Sequence, residues 1–145
     1  MKRLHVHVGV TDLAESISFY SALFGTGPTL VRDDYAKWML DDPRVNFAIS
    51  QGHATPGIEH LGIQADTPDE LAEVTGRLNA AARPVLAEGE TTCCYARSEK
   101  SWTSDPQGVV WEAFHTMEQA RTYGSSPALD ALAAMAPNPG GGGCC

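Results

Sequence analysis

The chain has 145 residues, a formal net charge of −8 at pH 7 and a pI near 4.9. This length suits one domain with its own hydrophobic core, and the acidic balance, without any Lys/Arg cluster, argues against a nucleic acid partner. The N-terminus lacks the apolar stretch of a signal peptide, and no apolar run approaches the roughly 18 residues of a membrane span, so we expect a cytoplasmic protein with no membrane partner.

The first half predicts a strand, a helix and three further strands. Residues Leu4–Val10 alternate apolar side chains with polar positions that include His5 and His7, which is the period of a half-buried strand. Asp12 is a suitable N-cap for a helix that ends at Gly25. Three short strand-like runs, separated by turn residues, follow at Thr29–Asp33, Tyr35–Leu40 and Val45–Ser50.

The second half repeats this order. Ile58–Ala65 predicts a strand, and Thr67 followed by Pro68 predicts the start of a helix. Strand-like runs follow at Val85–Leu86, near Tyr95 and Trp102, and at Val109–Phe114. We therefore predict an α+β fold of two tandem βαβββ modules, residues 1–53 and 54–116.

Comparison of the two halves indicates an insertion. His60 follows His5 by 55 positions, whereas the Asp-Pro turn at residue 105 follows the one at residue 42 by 63. The second half therefore contains about eight added residues, within the segment 87–104, and the later offset makes Ile49 the counterpart of Glu112. Residues 117–145 are expected to form a short helix at Leu129–Met135 and a flexible tail.

A metal site is predicted from two histidines and a carboxylate. His5 and His60 occupy equivalent positions of the repeat, and Glu112 lies on an apolar strand face where an ionised carboxylate needs a partner. One divalent metal would satisfy all three, and two histidines with one carboxylate are typical of Fe(II) enzymes that activate oxygen. For each histidine alone, a hydrogen-bonded strand residue is the simpler interpretation, and it is the joint pattern that favours a metal site. His7 shares the face of His5 and is either an alternative ligand or a supporting residue.

The same residues resemble a known superfamily. The run His5–Gly25 is similar to the opening of vicinal oxygen chelate proteins (glyoxalases and extradiol dioxygenases), in which the metal histidine stands seven residues before an Asp, here Asp12. The run Ser104–Glu112 resembles their closing Asp-Pro-x-Gly turn and glutamate ligand. The resemblance spans about residues 3–115 and implies an open, cup-like sheet around one metal.

Two adjacent cysteine pairs narrow the resemblance. Cys93-Cys94 within Thr92–Ala96, together with the terminal Cys144-Cys145, resembles the branch of organoarsenical lyases and cadmium-induced proteins, ArsI and CadI. This resemblance implies cleavage of carbon–arsenic bonds with an Fe(II) cofactor and O2, giving arsenite and, from methyl substrates, formaldehyde. Adjacent pairs do not resemble the spread cysteines of a disulfide framework, so we interpret all four as thiols.

Thiolates are the soft protein ligands that trivalent arsenic and cadmium prefer. In a regular strand Cys93 and Cys94 would point to opposite faces, so binding of one atom requires a bend. Their polar flanks favour an accessible pair, although burial as small hydrophobic residues is the alternative. Several nearby residues could assist by lowering the thiol pKa values or lining a cleft: Arg97, Lys100, Tyr95 and Trp102. Cys144 and Cys145 would capture arsenical or be dispensable, and His53 and His115 have no evident partners.

Two other functions remain open on the sequence. A non-enzymatic protein could sequester cadmium or arsenite with its thiols, but an intact metal triad argues against this. Another activity of the superfamily, such as extradiol ring cleavage or a glyoxalase reaction, would not need adjacent cysteines. The preferred arsenical, the metal loaded in the cell, and whether the protein is a monomer or a homodimer are not determined by these patterns.

Overall fold

The computed structural model describes residues 1–135, so the predicted tail with Cys144 and Cys145 lies outside the described residues. The elements in chain order are β1 Arg3–Val10, α1 Leu13–Phe24, β2 Leu30–Arg32, β3 Tyr35–Asp41, β4 Arg44–Gln51, β5 Gly57–Ala65, α2 Pro68–Ala80, β6 Leu86–Cys93, β7 Ala96–Ser104, β8 Val110–Gln119 and α3 Pro127–Met135. In this part of the chain no helix is long and apolar enough to cross a membrane.

The eight strands form one curled sheet with the order β2-β3-β4-β1-β5-β8-β7-β6. The order is symmetric about its centre, where β1 and β5 pair antiparallel, and each of them pairs in parallel with the last strand of its own module, β4 or β8. Both modules therefore contribute to one continuous sheet within a single chain. The predicted α+β fold of two βαβββ modules is confirmed.

The helices begin and end where local chemistry predicts. The Asp12 side chain accepts a hydrogen bond from the Glu15 amide at the start of α1, and Gly25 ends this helix with a left-handed φ of 68°. Thr67 accepts from the Glu70 amide in the same way, with Pro68 at the first position of α2. These caps determine the residues at which α1 and α2 begin after the preceding strands.

Helices α1 and α2 cover one face of the sheet, whereas α3 packs against Trp102 and Val110 on the face that Glu112 shares. The two halves of the core under α1 and α2 differ. In the first module α1 packs aromatic side chains against the strands, and the rings of Tyr20, Phe24, Trp38 and Phe47 lie within 4.5–6.1 Å of one another. In the second module the buried apolar residues are smaller, such as Ala65, Leu71 and Ala113. A cavity of about 300 Å³ remains between α2 and the sheet.

Two predictions about the second module are wrong in detail. Tyr95 does not lie in a strand: Cys94 and Tyr95 form a tight turn between β6 and β7, both with positive φ (55° and 59°). The counterpart of Glu112 is Ala48 and not Ile49. His5 pairs with Asn46, while Leu61, one residue beyond His60, pairs with Trp111, so the strand offset is 64 and not 63.

The cause of this slip is the turn before the last strand. Asp41 and Arg44 pair directly across residues 42–43, whereas the corresponding turn in the second module extends over residues 105–109. An offset taken from the Asp-Pro sequences therefore misses one residue. Since side chains alternate across a strand, that error moves the assigned residue to the opposite face.

Candidate metal and thiol site

The concave face of the sheet gathers buried polar side chains from central strands. His5 and His7 of β1, His60 of β5 and Glu112 of β8 are each 5 % exposed or less. Alternation along each strand directs these side chains away from α1 and α2. Buried polar groups of this kind need partners, so their contacts define what the site can bind.

His5, His60 and Glu112 converge on one point. The Nε2 atoms of His5 and His60 are 3.2 Å apart, and Oε2 of Glu112 lies 3.8 Å from the first and 3.6 Å from the second. Ligand atoms about 2.0–2.2 Å from a common metal are separated by about 3.0–3.6 Å, depending on the coordination angle. The three atoms therefore need to move by only a few tenths of an ångström to bind one ion.

Hydrogen bonding on the far side of the rings supports this fit. Nδ1 of His5 donates to the backbone carbonyl of Asn46 at 3.0 Å, so its Nε2 carries a lone pair. Nδ1 of His60 has Glu59 Oε2 at 3.2 Å, at ion-pair distance but outside hydrogen-bond geometry. With a proton on each Nδ1, two lone pairs and a carboxylate oxygen face one another in a buried space. A cation resolves this repulsion, so the residues fit a metal.

Without a cation, a proton takes over that role. Burial opposes protonation of His60, but the carboxylates of Glu112 and Glu59 outweigh it and raise the His60 pKa to about 9. Burial and the neighbouring His60 lower the pKa of His5 to about 3. The pair therefore shares one positive charge next to Glu112, at the position that a metal would occupy.

Lys100 is the partner of Glu112 that sequence reasoning did not assign. Its Nζ donates to Oε1 of Glu112 at 2.6 Å, and both side chains are buried. Burial opposes ionisation of Glu112, but Lys100 and the histidines outweigh it and hold the Glu112 pKa well below its usual range. Because Lys100 occupies Oε1, only Oε2 faces the histidines.

His7 lies between the metal cluster and the cysteines. Its Nε2 is 2.9 Å from the Ser50 hydroxyl, and its Nδ1 lies 3.9 Å from the Cys94 sulfur and 3.4 Å from Glu59 Oε2. His5, His7 and His60 together form a cluster whose ligand atoms lie within 4.8 Å of one another and could hold a metal. Because Nε2 of His5 is the atom that faces Glu112, His5 is better placed than His7 to share an ion with that carboxylate.

Cys93 and Cys94 lie together at the end of β6. The left-handed backbone of the turn brings both sulfurs to one side, 3.2 Å apart, which provides the predicted bend. The expected accessibility is wrong for Cys93, which is only 5 % exposed. The Cys94 thiol and nearby Lys100 lower the pKa of Cys93 against the effect of burial, whereas the same contact and burial raise that of Cys94. Arg97 plays no part, because it pairs with Glu90 and Glu118.

The segment 120–126, which joins β8 to α3, covers this turn. The Ala120 amide donates to the Tyr95 carbonyl at 2.7 Å, and the Ser125 amide donates to the Thr92 carbonyl at 3.1 Å. Gly124 is required here, because a Cβ at this position would meet the Thr92 carbonyl oxygen at 1.8 Å. The outer wall of the thiol site is therefore a segment distant in sequence, which periodicity could not reveal.

A polar and aromatic cluster supports the turn from the other side. Asp34 accepts from the Tyr95 hydroxyl and pairs with His53, both at 2.5 Å, and the His53 ring stacks on Tyr123 at 3.7 Å. The expectation that His53 lacks a constellation is wrong, because it contacts Asp34 and Tyr123, which come from two segments distant in sequence. Trp102 packs edge-on against His60, with ring centroids 5.2 Å apart, and its indole donates to Glu88.

Two small cavities flank the thiols. One, of about 30 Å³, lies between the cysteines and the metal cluster, and its walls include His5, Lys100, Glu112 and Phe114. The other, of about 140 Å³, lies on the outer side and is lined by both cysteines, Glu59, His53 and Tyr123. The sulfurs thus separate a narrow inner space beside the metal ligands from a wider outer one.

Comparison with known proteins assigns the chain to a family. The sequence profile of the Glyoxalase/Bleomycin resistance protein/Dioxygenase superfamily matches residues 2–113. The chain belongs to this superfamily. It is 39 % identical over 132 residues to the trivalent organoarsenical cleaving enzyme of Bacillus sp. (strain MD1), covering 88 % of this chain and 81 % of that protein. It is 31 % identical over 128 residues to the cadmium-induced protein CadI of Mycobacterium tuberculosis (strain H37Rv), covering 88 % and 84 %.

Solved structures show the same fold in more distant proteins. An extradiol ring-cleaving dioxygenase from B. fuscum superposes with a TM-score of 0.59 at 16 % identity, over 82 % of this chain and 34 % of that chain. The Mn(II)-bound glyoxalase from Novosphingobium aromaticivorans gives 0.56 at 18 % identity, over 88 % and 44 %. These likenesses confirm the glyoxalase-type fold, and the predicted resemblance to the arsenical branch agrees with the relatives.

Proposed function

We propose that this protein cleaves the carbon–arsenic bond of trivalent monomethyl or aromatic arsenicals in a reaction that uses Fe(II) and O2. The observation that carries the proposal is the narrow inner cavity, whose walls include the two thiols and the carboxylate and histidine of the triad. The names of the relatives at 33–39 % identity support the same substrate class. A ring-cleavage or isomerase activity would leave the thiol pair without a role.

The thiols bind and orient the substrate. A monomethyl arsenical has two exchangeable oxygens, so Cys93 and Cys94 can replace both as water leaves, and the methyl group remains as the third substituent. The lowered pKa of Cys93 supplies the first thiolate for this exchange. Holding arsenic by two bonds fixes the direction of the methyl group, and in well-oriented systems such positioning can contribute about 7–11 kcal/mol of a reaction barrier.

The ligand residues hold the metal next to that methyl group. We assign the metal ligands as Nε2 of His5, Nε2 of His60 and Oε2 of Glu112, which leave part of the coordination shell open. Fe(II), when bound there, supplies the activation of O2. Asn46 orients the His5 ring, and Lys100 holds the remaining oxygen of Glu112, so the carboxylate presents a single oxygen to the metal.

The net reaction balances without an external reductant. CH3As(OH)2 and O2 give CH2O and As(OH)3, the methyl carbon loses four electrons, O2 accepts four, and arsenic remains trivalent. Inorganic arsenite then has three exchangeable positions, of which the dithiol fills two. The third position is free for water or another thiol, and this eases release of the product.

The decisive experiment measures both products with the iron-loaded protein. We expect oxygen-dependent, equimolar release of formaldehyde and arsenite from the monomethyl trivalent arsenical. Cys93→Ser and Cys94→Ser should each abolish turnover and keep the Fe(II) content, because the thiols and the triad hold different atoms. Loss of iron in proportion to activity would contradict this division, and arsenical binding without any product would favour a sequestering protein.

A further inference from the structure

His7 and Glu59 are not required to bind the arsenical or the iron, yet both face the thiols. Nδ1 of His7 lies 3.9 Å from the Cys94 sulfur, Glu59 Oε2 lies 3.4 Å from the same Nδ1, and the two sulfurs are 3.2 Å apart. Glu59 lines the outer cavity together with Cys93 and Cys94. Two sulfurs, one imidazole nitrogen and one carboxylate oxygen thus lie in a continuous arrangement.

The tautomer of His7 that donates to Ser50 directs a lone pair toward these atoms. Its Nε2 is 2.9 Å from the Ser50 hydroxyl, which can accept its proton, and the ring is completely buried. With the proton on Nε2, Nδ1 is unprotonated and faces Cys94 and Glu59. A neutral imidazole nitrogen beside a thiol pair is a ligand set that divalent zinc uses.

Three of the six separations among these four atoms are close to those around a tetrahedral ion. With metal bonds of about 2.3 Å to sulfur and about 2.0–2.1 Å to nitrogen and oxygen, tetrahedral angles give about 3.8 Å between sulfurs, 3.6 Å between sulfur and nitrogen, and 3.3 Å between nitrogen and oxygen. In the structure the two sulfurs are 3.2 Å apart, the Cys94 sulfur is 3.9 Å from Nδ1 of His7, and that nitrogen is 3.4 Å from Oε2 of Glu59. Adjustments of about 0.6 Å or less would complete the polyhedron on these three separations.

We propose that Cys93, Cys94, His7 and Glu59 form a second cation site, separate from the triad and selective for a thiophilic divalent ion such as Zn²⁺ or Cd²⁺. Soft thiolates favour these ions, whereas the triad offers only nitrogen and oxygen. Binding releases the thiol protons, and the two thiolates balance the charge of the divalent ion, while the carboxylate adds a third anionic ligand. The ion enters from the outer cavity.

The second site has a consequence that rests on the proposed function. A cation bound to Cys93 and Cys94 occupies the sulfurs that would bind the arsenical, so it competes with substrate while the iron stays in place. Zn²⁺ or Cd²⁺ should therefore raise KM for the arsenical without lowering kcat. Direct cation binding, in contrast, does not depend on whether the protein cleaves any arsenical.

The test is a Cd²⁺ titration of the full-length, iron-loaded protein without oxygen, in a background with Cys144→Ser and Cys145→Ser. The ultraviolet charge-transfer band between thiolate and cadmium reports only ions bound to Cys93 and Cys94. His7→Gln removes Nδ1 while its amide can still donate to Ser50, and Glu59→Gln removes the anionic oxygen. Each should weaken Cd²⁺ binding by about tenfold or more, the low end of the range found when ligand environments are altered.

Binding of a trivalent monophenyl arsenical is the matched control, because it needs only the two thiolates. Both variants should keep that affinity within about twofold, which also shows that they fold. If Cd²⁺ binds both variants as tightly as it binds the parent, the thiols act alone and the proposed site is wrong. If His7→Gln binds neither Cd²⁺ nor the arsenical, the variant has not kept its fold, and the test then rests on Glu59→Gln at a partly exposed residue. Unchanged Cd²⁺ affinity in Glu59→Gln also overturns the proposal. Intact Cd²⁺ binding in a protein without lyase activity would reject only the proposed function.

Discussion

The two modules have the same order of strands and helix, but they contribute differently to the protein. The first packs α1 on the sheet through large aromatic rings, including the fully buried Trp38. The second packs α2 over smaller residues, has a cavity between α2 and the sheet, and contains most of the site, including Lys100 and the thiol turn. We infer that the first module mainly stabilises the fold and supplies β1 with its histidines, while the second positions the reacting groups.

The largest expected effect is on metal binding and comes from the second module. Glu112→Gln removes the anionic ligand and keeps the shape, so Fe(II) affinity should fall by more than the roughly 10–100-fold that changes around a ligand cause. The same change leaves Lys100 buried without its counter-ion, which should lower the free energy of unfolding by about 3–5 kcal/mol. Metal titration and chemical denaturation measure the two effects.

A double variant separates these effects. Glu112→Gln combined with Lys100→Met removes both charges, so most of the stability should return while Fe(II) affinity stays low. Recovery of metal binding together with stability would show that Glu112 is only a structural residue.

A substitution in the first module is expected to lower stability by a comparable amount while all the metal-ligating residues stay in place. Trp38→Ala should cost about 3–5 kcal/mol, because it removes a fully buried ring from a packed aromatic cluster. Fe(II) affinity of the folded protein should change by less than about threefold, since Trp38 lies on the helix-covered face. Urea denaturation with a parallel metal titration tests this, and a tenfold loss of affinity in the folded state would contradict the division between the modules.

The smallest effect compares one substitution in both cores. Ala36 is fully buried among the first-module residues, whereas Ala113 lines the cavity behind α2. Ala36→Val should destabilise by about 1–3 kcal/mol through overpacking. Ala113→Val can extend into empty space, so it should be neutral or stabilise by up to about 1 kcal/mol. Chemical denaturation measures both effects. An equal loss of unfolding free energy at the two positions would show that the cavity does not accommodate the added methyl groups.

Much of the scaffold could be predicted from the sequence because local chemistry determines it. The caps at Asp12, Gly25 and Thr67 and the alternation of β1 define elements without knowledge of their partners. The repeat also predicts that His5 and His60 approach each other, since equivalent positions of paired modules meet at their interface. The structure brings their Nε2 atoms to 3.2 Å.

The features that were missed depend on contacts distant in sequence or on one residue of register. The pairing of Lys100 with Glu112 requires neighbouring strands in a fixed register, and the His53–Asp34 pair joins segments that no periodicity relates. Ile49 was assigned in place of Ala48 because the two turns differ in length. The left-handed backbone of Cys94 and Tyr95 lacks the glycine that normally signals such a turn, so the sequence pattern predicts a strand there.

The most direct test of the mechanism with two thiolates on arsenic compares the turnover of monomethyl and dimethyl trivalent arsenicals. A dimethyl compound has one exchangeable position and can bond to only one of the two cysteines, so its methyl groups are not held toward the triad. The two-thiolate mechanism predicts oxygen-dependent release of formaldehyde from the monomethyl compound and little from the dimethyl one, with neither turned over by Cys94→Ser. Equal turnover of the two compounds, or normal turnover by the serine variant, would contradict the two-thiolate mechanism.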